Sequence, residues 1–116
     1  GPDGSEEDGA FIRERFPDSD GGEVFLADRA PDFERMQELD AQIRELTSER
    51  DTLKQAIMQD MGDAALASAL NGWTASWKPQ ASRRVDSKKL KAEFPQAYAD
   101  CLIESVSRVF RYKKAD

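Results

Sequence analysis

The sequence predicts an α+β protein, in which a long heptad (coiled-coil-like) helix precedes a small unit of antiparallel strands and two short helices. Three observations support this. Apolar residues recur at steps of three and four between residues 36 and 57, the apolar period changes to two near residue 73, and the charge changes sign along the chain. We therefore expect an acidic N-terminal segment at 1–30, the long helix at 31–62 and a small basic unit at 63–116.

Length and composition allow only a modest hydrophobic core. The chain has 116 residues, of which 39% are apolar and 34% charged, so we expect its folding to depend on a partner. The single cysteine, Cys101, cannot form a disulfide within the chain, which favours a location in the cytoplasm or another reducing compartment. No apolar run approaches the ~20 residues that cross a bilayer, and no signal peptide is recognisable, so we expect no membrane partner.

The net charge of −6 conceals two opposite halves. Residues 1–64 carry 18 acidic and 7 basic side chains (−11), whereas residues 65–116 carry 5 acidic and 10 basic ones (+5). A basic half can bind phosphates. Charge alone, however, favours the simpler interpretation, a solvated surface that balances an acidic neighbour.

The N-terminal segment predicts a short helix. Ser5 and the acidic residues after it favour a capped first turn, and Pro17 ends a helix that runs through Arg15. Residues 23–27 predict a short extended piece. Its apolar side chains, Val24, Phe25 and Leu26, need a surface to bury against, from this chain or from a partner.

The long helix begins near Pro31, which suits a first helical turn, and ends at Gly62. It spans roughly 45 Å. Its a and d heptad positions form a predicted oligomerisation seam: Met36, Leu39, Ile43, Leu46, Arg50, Leu53 and Ile57. Two interpretations of Arg50 stay open. It fixes the register or the number of partners, or its stem extends along the seam and keeps the guanidinium in water.

The first part of the basic unit predicts a turn between two regular elements. Residues 63–70 are alanine-rich and predict one or two further helical turns before an Asn71-Gly72 turn. Residues 73–77 alternate, which predicts a strand with both tryptophans on one face. Residues 82–85 predict a second strand that returns beside it.

The rest of the basic unit predicts two helices and a strand. Asp86 is a plausible cap for a helix over KKLKAEF, and Pro95 suits the start of a second helix, QAYADCL. Residues 105–113 alternate again and predict a last strand, with Val106, Phe110 and Tyr112 on one face.

Several short motifs of the basic half occur in a recognisable order. They are G-W-x-x-x-W-K at 72–78, R-R-V-D-S-K-K-L-K at 83–91, P-Q-A-Y at 95–98 and S-x-S-R-V-F-R-Y-K at 105–113, preceded by the heptad helix and by P-D-G-S at 2–5. In this order they resemble the C-terminal region of YqaJ-like viral recombinase nucleases. The resemblance covers residues 2–113. It implies that the whole protein contains a lambda-exonuclease-type PD-(D/E)XK core with bound Mg²⁺. This chain would then be the region that follows the core.

The residues of this chain predict no catalytic, metal or cofactor site. A Mg²⁺-dependent nuclease needs clustered carboxylates and a positioned lysine. Asp86-Ser87-Lys88 has the form of a D-x-K element, but no acidic residue between Asp63 and Asp86 completes it, so a helix cap is the better interpretation of Asp86. The chain has no histidine, and Cys101 is predicted to be a small core residue rather than a nucleophile.

Basic and aromatic residues are interleaved in this half, which is typical of surfaces that bind nucleic acids. The rings of Trp73, Trp77 and Phe110 are better interpreted as the core of the basic unit. The cations are interpreted as DNA contacts, because the resemblance implies a nuclease that follows a DNA strand. The candidates are Arg83, Arg84, Lys88, Lys89, Arg108, Arg111, Lys113 and Lys114.

Two hypotheses of function follow. In the first, the chain is the non-catalytic C-terminal module of a phage-type DNA recombination nuclease, and it assists DNA binding or subunit assembly. Its helix then packs on the upstream nuclease core or on a second subunit. In the second, it is a protein-interaction module that docks a recombination partner, for instance a single-strand annealing protein. Salt-dependent affinity for DNA separates the two.

Overall fold

The computed structural model describes residues 6–115 and has an α+β fold, as the sequence predicts. A long helix is followed by a two-stranded antiparallel sheet and by short helices. The elements are α1 (Glu6–Arg15), α2 (Ala30–Met61), β1 (Leu66–Ser68), a 3₁₀ turn (Leu70–Gly72), β2 (Thr74–Ser76), α3 (Ser87–Glu93) and α4 (Pro95–Asp100).

Helix α1 ends at Arg15, as predicted. The Phe16 amide still donates to the Ile12 carbonyl at 3.1 Å, and Pro17 has no amide hydrogen with which to continue the helix. The predicted cap, Ser5, lies outside the described residues. Residues 23–26 adopt no regular secondary structure, and the described part of the chain leaves Val24 and Phe25 largely uncovered, with Phe25 90% exposed.

Helix α2 contains 32 residues and is about 48 Å long. Pro31 lies in its first turn, and the Asp32 carboxylate accepts a hydrogen bond from the Arg29 guanidinium at 2.8 Å. The helix ends at Gly62, which has φ 55° and donates its amide to the Met58 carbonyl. The predicted helix, 31–62, is confirmed to within one residue at each end.

Strands β1 and β2 form a hairpin. Leu66 lies opposite Ser76, Ala67 opposite Ala75 and Ser68 opposite Thr74. The loop between them places Asn71 at φ 64° and Gly72 at φ 81°. Glycine and asparagine are the residues that most readily adopt positive φ, so the predicted Asn71-Gly72 turn is confirmed.

The partner of β2 differs from the prediction. Residues 63–70 were expected to be helical, but they contain β1, and residues 82–85 form no strand. The alanine-rich stretch pairs with β2 because the turn at Asn71 directs the chain back onto it, and a close pairing overrides helix propensity. The hydrogen bonds from Ala69 to Trp73 (2.8 Å) and from Trp77 to Ala65 (2.9 Å) extend the ladder at both ends.

Helices α3 and α4 were predicted correctly and contact each other. The Asp86 carboxylate caps α3 by accepting the Lys89 amide at 3.1 Å, which confirms its interpretation as a cap. Pro95 begins α4. The Lys91 ammonium lies 5.8 Å from the centre of the Tyr98 ring, so a cation–π contact joins the two helices.

The C-terminal tail, residues 101–115, has no regular secondary structure, so the predicted strand at 105–113 is wrong. Residues 103–111 form no backbone–backbone hydrogen bond with any described residue. An alternating sequence becomes a strand only where it pairs with another strand, and neither β1 nor β2 pairs with these residues. The Phe110 and Tyr112 rings nevertheless stack, with their centres 6.4 Å apart.

No described residue is fully buried. The predicted core of the basic unit is therefore wrong: Trp73 is 73% exposed, Trp77 46% and Phe110 71%, and Cys101 is exposed as well. The contacts show why these residues do not share a core. Residues 29–85 form one compact unit, and the described parts of 1–28 and 86–116 form another. The division into domains at 1–30, 31–62 and 63–116 stays a prediction.

Candidate assembly surface

The predicted seam lies along one side of α2 and is largely uncovered. Leu39 is 39% exposed, Ile43 59%, Leu46 63%, Leu53 62% and Ile57 52%, and Met36 is half-buried. Large aliphatic side chains repeated at heptad spacing are typical of a helix that packs against another helix. The surface defined by Met36, Leu39, Ile43, Leu46, Arg50, Leu53 and Ile57 is called the seam below.

Arg50 interrupts the apolar character of the seam. Its guanidinium donates to the carboxylate of the neighbouring Asp51, with Nη2 at 3.1 Å and Nε at 3.3 Å from Oδ1. The Arg50 side chain is 72% exposed. Such an exposed pair contributes little to stability, so Arg50 is free to exchange this partner for another.

The hairpin adds a second apolar surface at the C-terminal end of the seam. Ala75 and Trp77 line a groove together with Leu53, Ile57 and Met61 of α2. Ala67 and Ala75, which lie opposite each other in the sheet, are both half-buried. Sequence reasoning missed this contribution because it assigned residues 63–70 to a helix. The alternation of Ala65, Ala67 and Ala69 with Leu66 and Ser68 was the feature of the sequence that could have indicated a strand.

The eight candidate DNA-binding cations are divided between the two compact units. Arg83 and Arg84 lie in an irregular stretch of the unit 29–85. Lys88 and Lys89 belong to α3, and the remaining four belong to the tail: Arg108, Arg111, Lys113 and Lys114. The structure therefore brings α3 and the tail into one unit, and it places the two arginines before α3 in the other.

Two carboxylates that lie near these cations in the sequence form hydrogen bonds with amide groups. Asp86 accepts the Lys89 amide, and Asp100 accepts the Gln96 side-chain amide at 2.8 Å. Arg108 has a structural contact instead, because its Nη1 donates to the Phe16 carbonyl at 2.9 Å and so connects the tail to the end of α1. Arg83, Arg84, Lys88 and Lys89 form no ion pair with the described part of the chain.

Residues 6–115 contain neither a cluster of metal ligands nor a membrane-spanning helix. No group of three or more histidine, cysteine, aspartate or glutamate side chains lies close enough together to hold a metal ion. No helix in this range is both long and apolar enough to cross a membrane.

The chain is similar to one part of a longer protein. It is 31% identical, over 115 residues, to a protein of Bacillus subtilis (strain 168) that bears the name "Uncharacterized protein YqaJ". The match includes 97% of this chain but only 35% of the relative. No protein-family model matches the chain, and no solved structure matches it significantly. The similarity agrees with the resemblance of the sequence motifs to part of a YqaJ-like protein, and the chain spans about a third of that relative's length.

Proposed function

We propose that this chain is the non-catalytic C-terminal assembly segment of a larger, YqaJ-like protein, in which α2 joins subunits through the seam. The observation that supports this proposal is the exposure of the seam along a helix of 32 residues. The described residues of this chain leave every member of the seam at least partly exposed.

Burial of the seam is energetically substantial. Each large aliphatic side chain that moves from water into a packed interface contributes about 1.5–3 kcal/mol. The exposed leucines and isoleucines of α2 are Leu39, Ile43, Leu46, Leu53 and Ile57. Because a folded domain is stable by only about 5–15 kcal/mol, burial of these side chains is comparable to the stability of the domain itself. A partner helix is the simplest surface with the matching repeat.

The biological setting of this assembly is proposed from the resemblance. YqaJ-like recombinase nucleases contain a PD-(D/E)XK core that binds Mg²⁺ and cleaves DNA, and that core corresponds to none of the motifs in this chain. The larger protein is thus proposed to be a metal-dependent nuclease of DNA recombination. The present segment supplies contacts between subunits and no catalytic group.

The proposal is tested by placing a charge on the seam. We expect Leu46→Asp to weaken association, because covering the seam would remove the new carboxylate from water, which is energetically unfavourable. The variant should therefore have a lower melting temperature and a lower mass in sedimentation than the unaltered chain. Ser48→Asp is the matched control, since it adds the same charge two residues away on the opposite face of α2. A monomeric chain whose melting is equally insensitive to both substitutions would contradict the assembly role.

A second candidate function, contact with DNA, is supported by a separate observation. Arg83 and Arg84 precede Asp86 in the sequence and Lys88 and Lys89 follow it. None of these four cations forms an ion pair with a residue at 6–115. Cations without a protein partner can neutralise phosphates and release counterions.

Charge reversal tests this second function. We expect the double variant Arg83→Glu/Arg84→Glu to bind duplex or single-stranded DNA more weakly at low salt and with a flatter salt dependence. The double variant Arg13→Glu/Arg44→Glu changes the net charge equally and serves as the control. Undetectable binding by the unaltered chain would favour the docking of a partner protein, such as a single-strand annealing protein.

A further inference from the structure

We propose that the partner of the seam is a second copy of this chain, with the two α2 helices parallel and in register. This inference rests on the proposed assembly role and identifies the partner. It is carried by the residues of α2 alone, which form one continuous helix from Ala30 to Met61.

The isoleucines and leucines on the two sides of the seam fit a coiled coil of two strands. Position a of the heptad is occupied by Met36, Ile43, Arg50 and Ile57, and position d by Leu39, Leu46 and Leu53. In parallel coiled coils, β-branched residues at a combined with leucine at d favour two strands over three or four. The residues of the seam therefore fit a dimer.

The charges beside the seam are complementary in the same arrangement. Arg35 and Glu49 occupy the g positions, and Asp40 and Lys54 occupy the e positions. In a parallel, in-register pair, each g residue faces the e residue five positions later on the other helix. Arg35 then faces Asp40 of the second copy, and Glu49 faces Lys54 of the second copy. Both contacts join opposite charges, and the twofold symmetry repeats each of them.

Parallel alignments shifted by one heptad lose this complementarity. A shift of one heptad in one direction places Arg35 opposite Thr47 and Glu49 opposite Met61. A shift in the other direction places Arg35 opposite Phe33 and Glu49 opposite Thr47. Neither shift leaves a pair of opposite charges. In an antiparallel pair, g residues face g residues and e residues face e residues, so Arg35 can face Glu49 and Asp40 can face Lys54. The charges then favour neither orientation, but each Arg50 packs opposite a leucine at d instead of sharing one layer with the other Arg50.

Arg50 explains why the register matters. In register, the two Arg50 side chains share one layer, next to Glu49 of each opposite copy. A shift by one heptad instead packs each guanidinium beside Ile43 or Ile57, where no acidic a or d residue compensates it. A buried charge without a partner is strongly unfavourable. Arg50 thus lowers the stability of the dimer but penalises the shifted alignments more, as single polar a residues do in coiled coils.

The Arg35–Glu38 ion pair and the neighbouring hairpin leave the seam accessible. Arg35 pairs with Glu38 of its own helix at 3.1 Å, but both side chains are more than half exposed, so the pair is weak and exchangeable. The hairpin adjoins the end of the seam, yet Leu53 remains 62% exposed and Ile57 52%. The seam is therefore accessible along its length.

The test uses two oppositely charged variants of the full chain. Glu49→Lys gives a homodimer with lysine opposite lysine, and Lys54→Glu gives one with glutamate opposite glutamate. A heterodimer of the two restores opposite charges at both contacts. We expect an equimolar mixture, differently tagged and kept reduced because Cys101 is exposed, to contain a heterodimer excess of about threefold or more over random pairing at low salt. The excess falls at high salt.

The control separates local from overall charge. Glu45→Lys changes the net charge by the same amount as Glu49→Lys, and Arg44→Glu by the same amount as Lys54→Glu. Both control positions, c and b of the heptad, lie away from the seam, so a mixture of these two variants should pair at random. A heterodimer excess as large with this control pair, or no excess with the first pair, overturns the parallel register. If the chain still self-associates and Leu46→Asp still disrupts it, only the orientation is wrong. If the chain is monomeric and indifferent to Leu46→Asp, the proposed function fails as well.

Discussion

Helix α2 and the C-terminal tail both carry regular apolar patterns, but only one of them becomes a regular element. The heptad pattern of α2 produces 32 helical residues. The alternating pattern of residues 105–113 produces no strand. The difference lies in where each backbone finds its hydrogen-bond partners. A helix satisfies its amides from carbonyls four residues earlier, whereas a strand needs another strand.

The two segments differ in what the described residues leave unpaired. In helix α2 the backbone is hydrogen-bonded and the apolar side chains of the seam are exposed. In the tail, residues 103–111 also form no backbone–backbone hydrogen bond with a described residue. The hairpin between them shows the intermediate case, in which β1 and β2 supply each other's backbone partner.

The largest expected effect comes from proline, which removes an amide donor. We expect Ser48→Pro to destabilise α2 by about 3 kcal/mol or more, because it breaks a hydrogen bond in the middle of the helix and clashes with the preceding turn. Ser107→Pro in the tail should change stability by no more than about 0.5 kcal/mol, because the Ser107 amide has no backbone partner among the described residues. Circular dichroism during thermal unfolding measures both. Equal losses would show that the tail has an ordered backbone partner.

The next effect concerns the charged layer of the seam. We expect Arg50→Leu to strengthen self-association by about 1.5–3 kcal/mol, since it completes the apolar seam. Arg44→Leu, on the outer side of α2, is the control and should leave association unchanged. Sedimentation equilibrium gives both dissociation constants. Weaker association of the Arg50 variant would mean that the arginine itself makes a favourable contact across the interface.

The smallest effect concerns a local cap. We expect Asp86→Ala to destabilise α3 by about 1 kcal/mol, because the Lys89 amide loses its acceptor. Asp86→Asn should retain most of the stability, since asparagine also caps helices well. Hydrogen exchange of the first-turn amides of α3 reports the change. Exchange that stays unaltered in the alanine variant would indicate that another group replaces the cap.

Features with local causes could be predicted from the sequence. The ends of α2 follow from Pro31 and Gly62, the loop of the hairpin from Asn71-Gly72, and the start of α3 from Asp86, because each depends on residues within one turn. The oligomerisation role of the seam stays a prediction. The partner of β2 could not be predicted, because strand pairing depends on residues distant in sequence, and the alanines of 63–70 favour helix when considered alone.

The exposure of the aromatic residues also escaped prediction. Trp73 and Phe110 were assigned to one core on the assumption that the basic half packs on itself. They lie in different compact units, and each is more than two-thirds exposed. The eight candidate cations are divided between the same units, so a single basic surface could not be inferred from their order along the chain.

Gly62 separates two competing conformations of the residues that follow it. Its backbone, at φ 55° and ψ −121°, is one that residues with a side chain rarely adopt. The next stretch, 63–70, contains four alanines and two leucines, which are strong helix formers, and yet it contributes a strand. The energy landscape of this region is therefore locally frustrated, with intrinsic propensity opposing the native pairing. One glycine keeps α2 from propagating into the hairpin, so a change at this position shifts the balance between two secondary structures rather than simply loosening one.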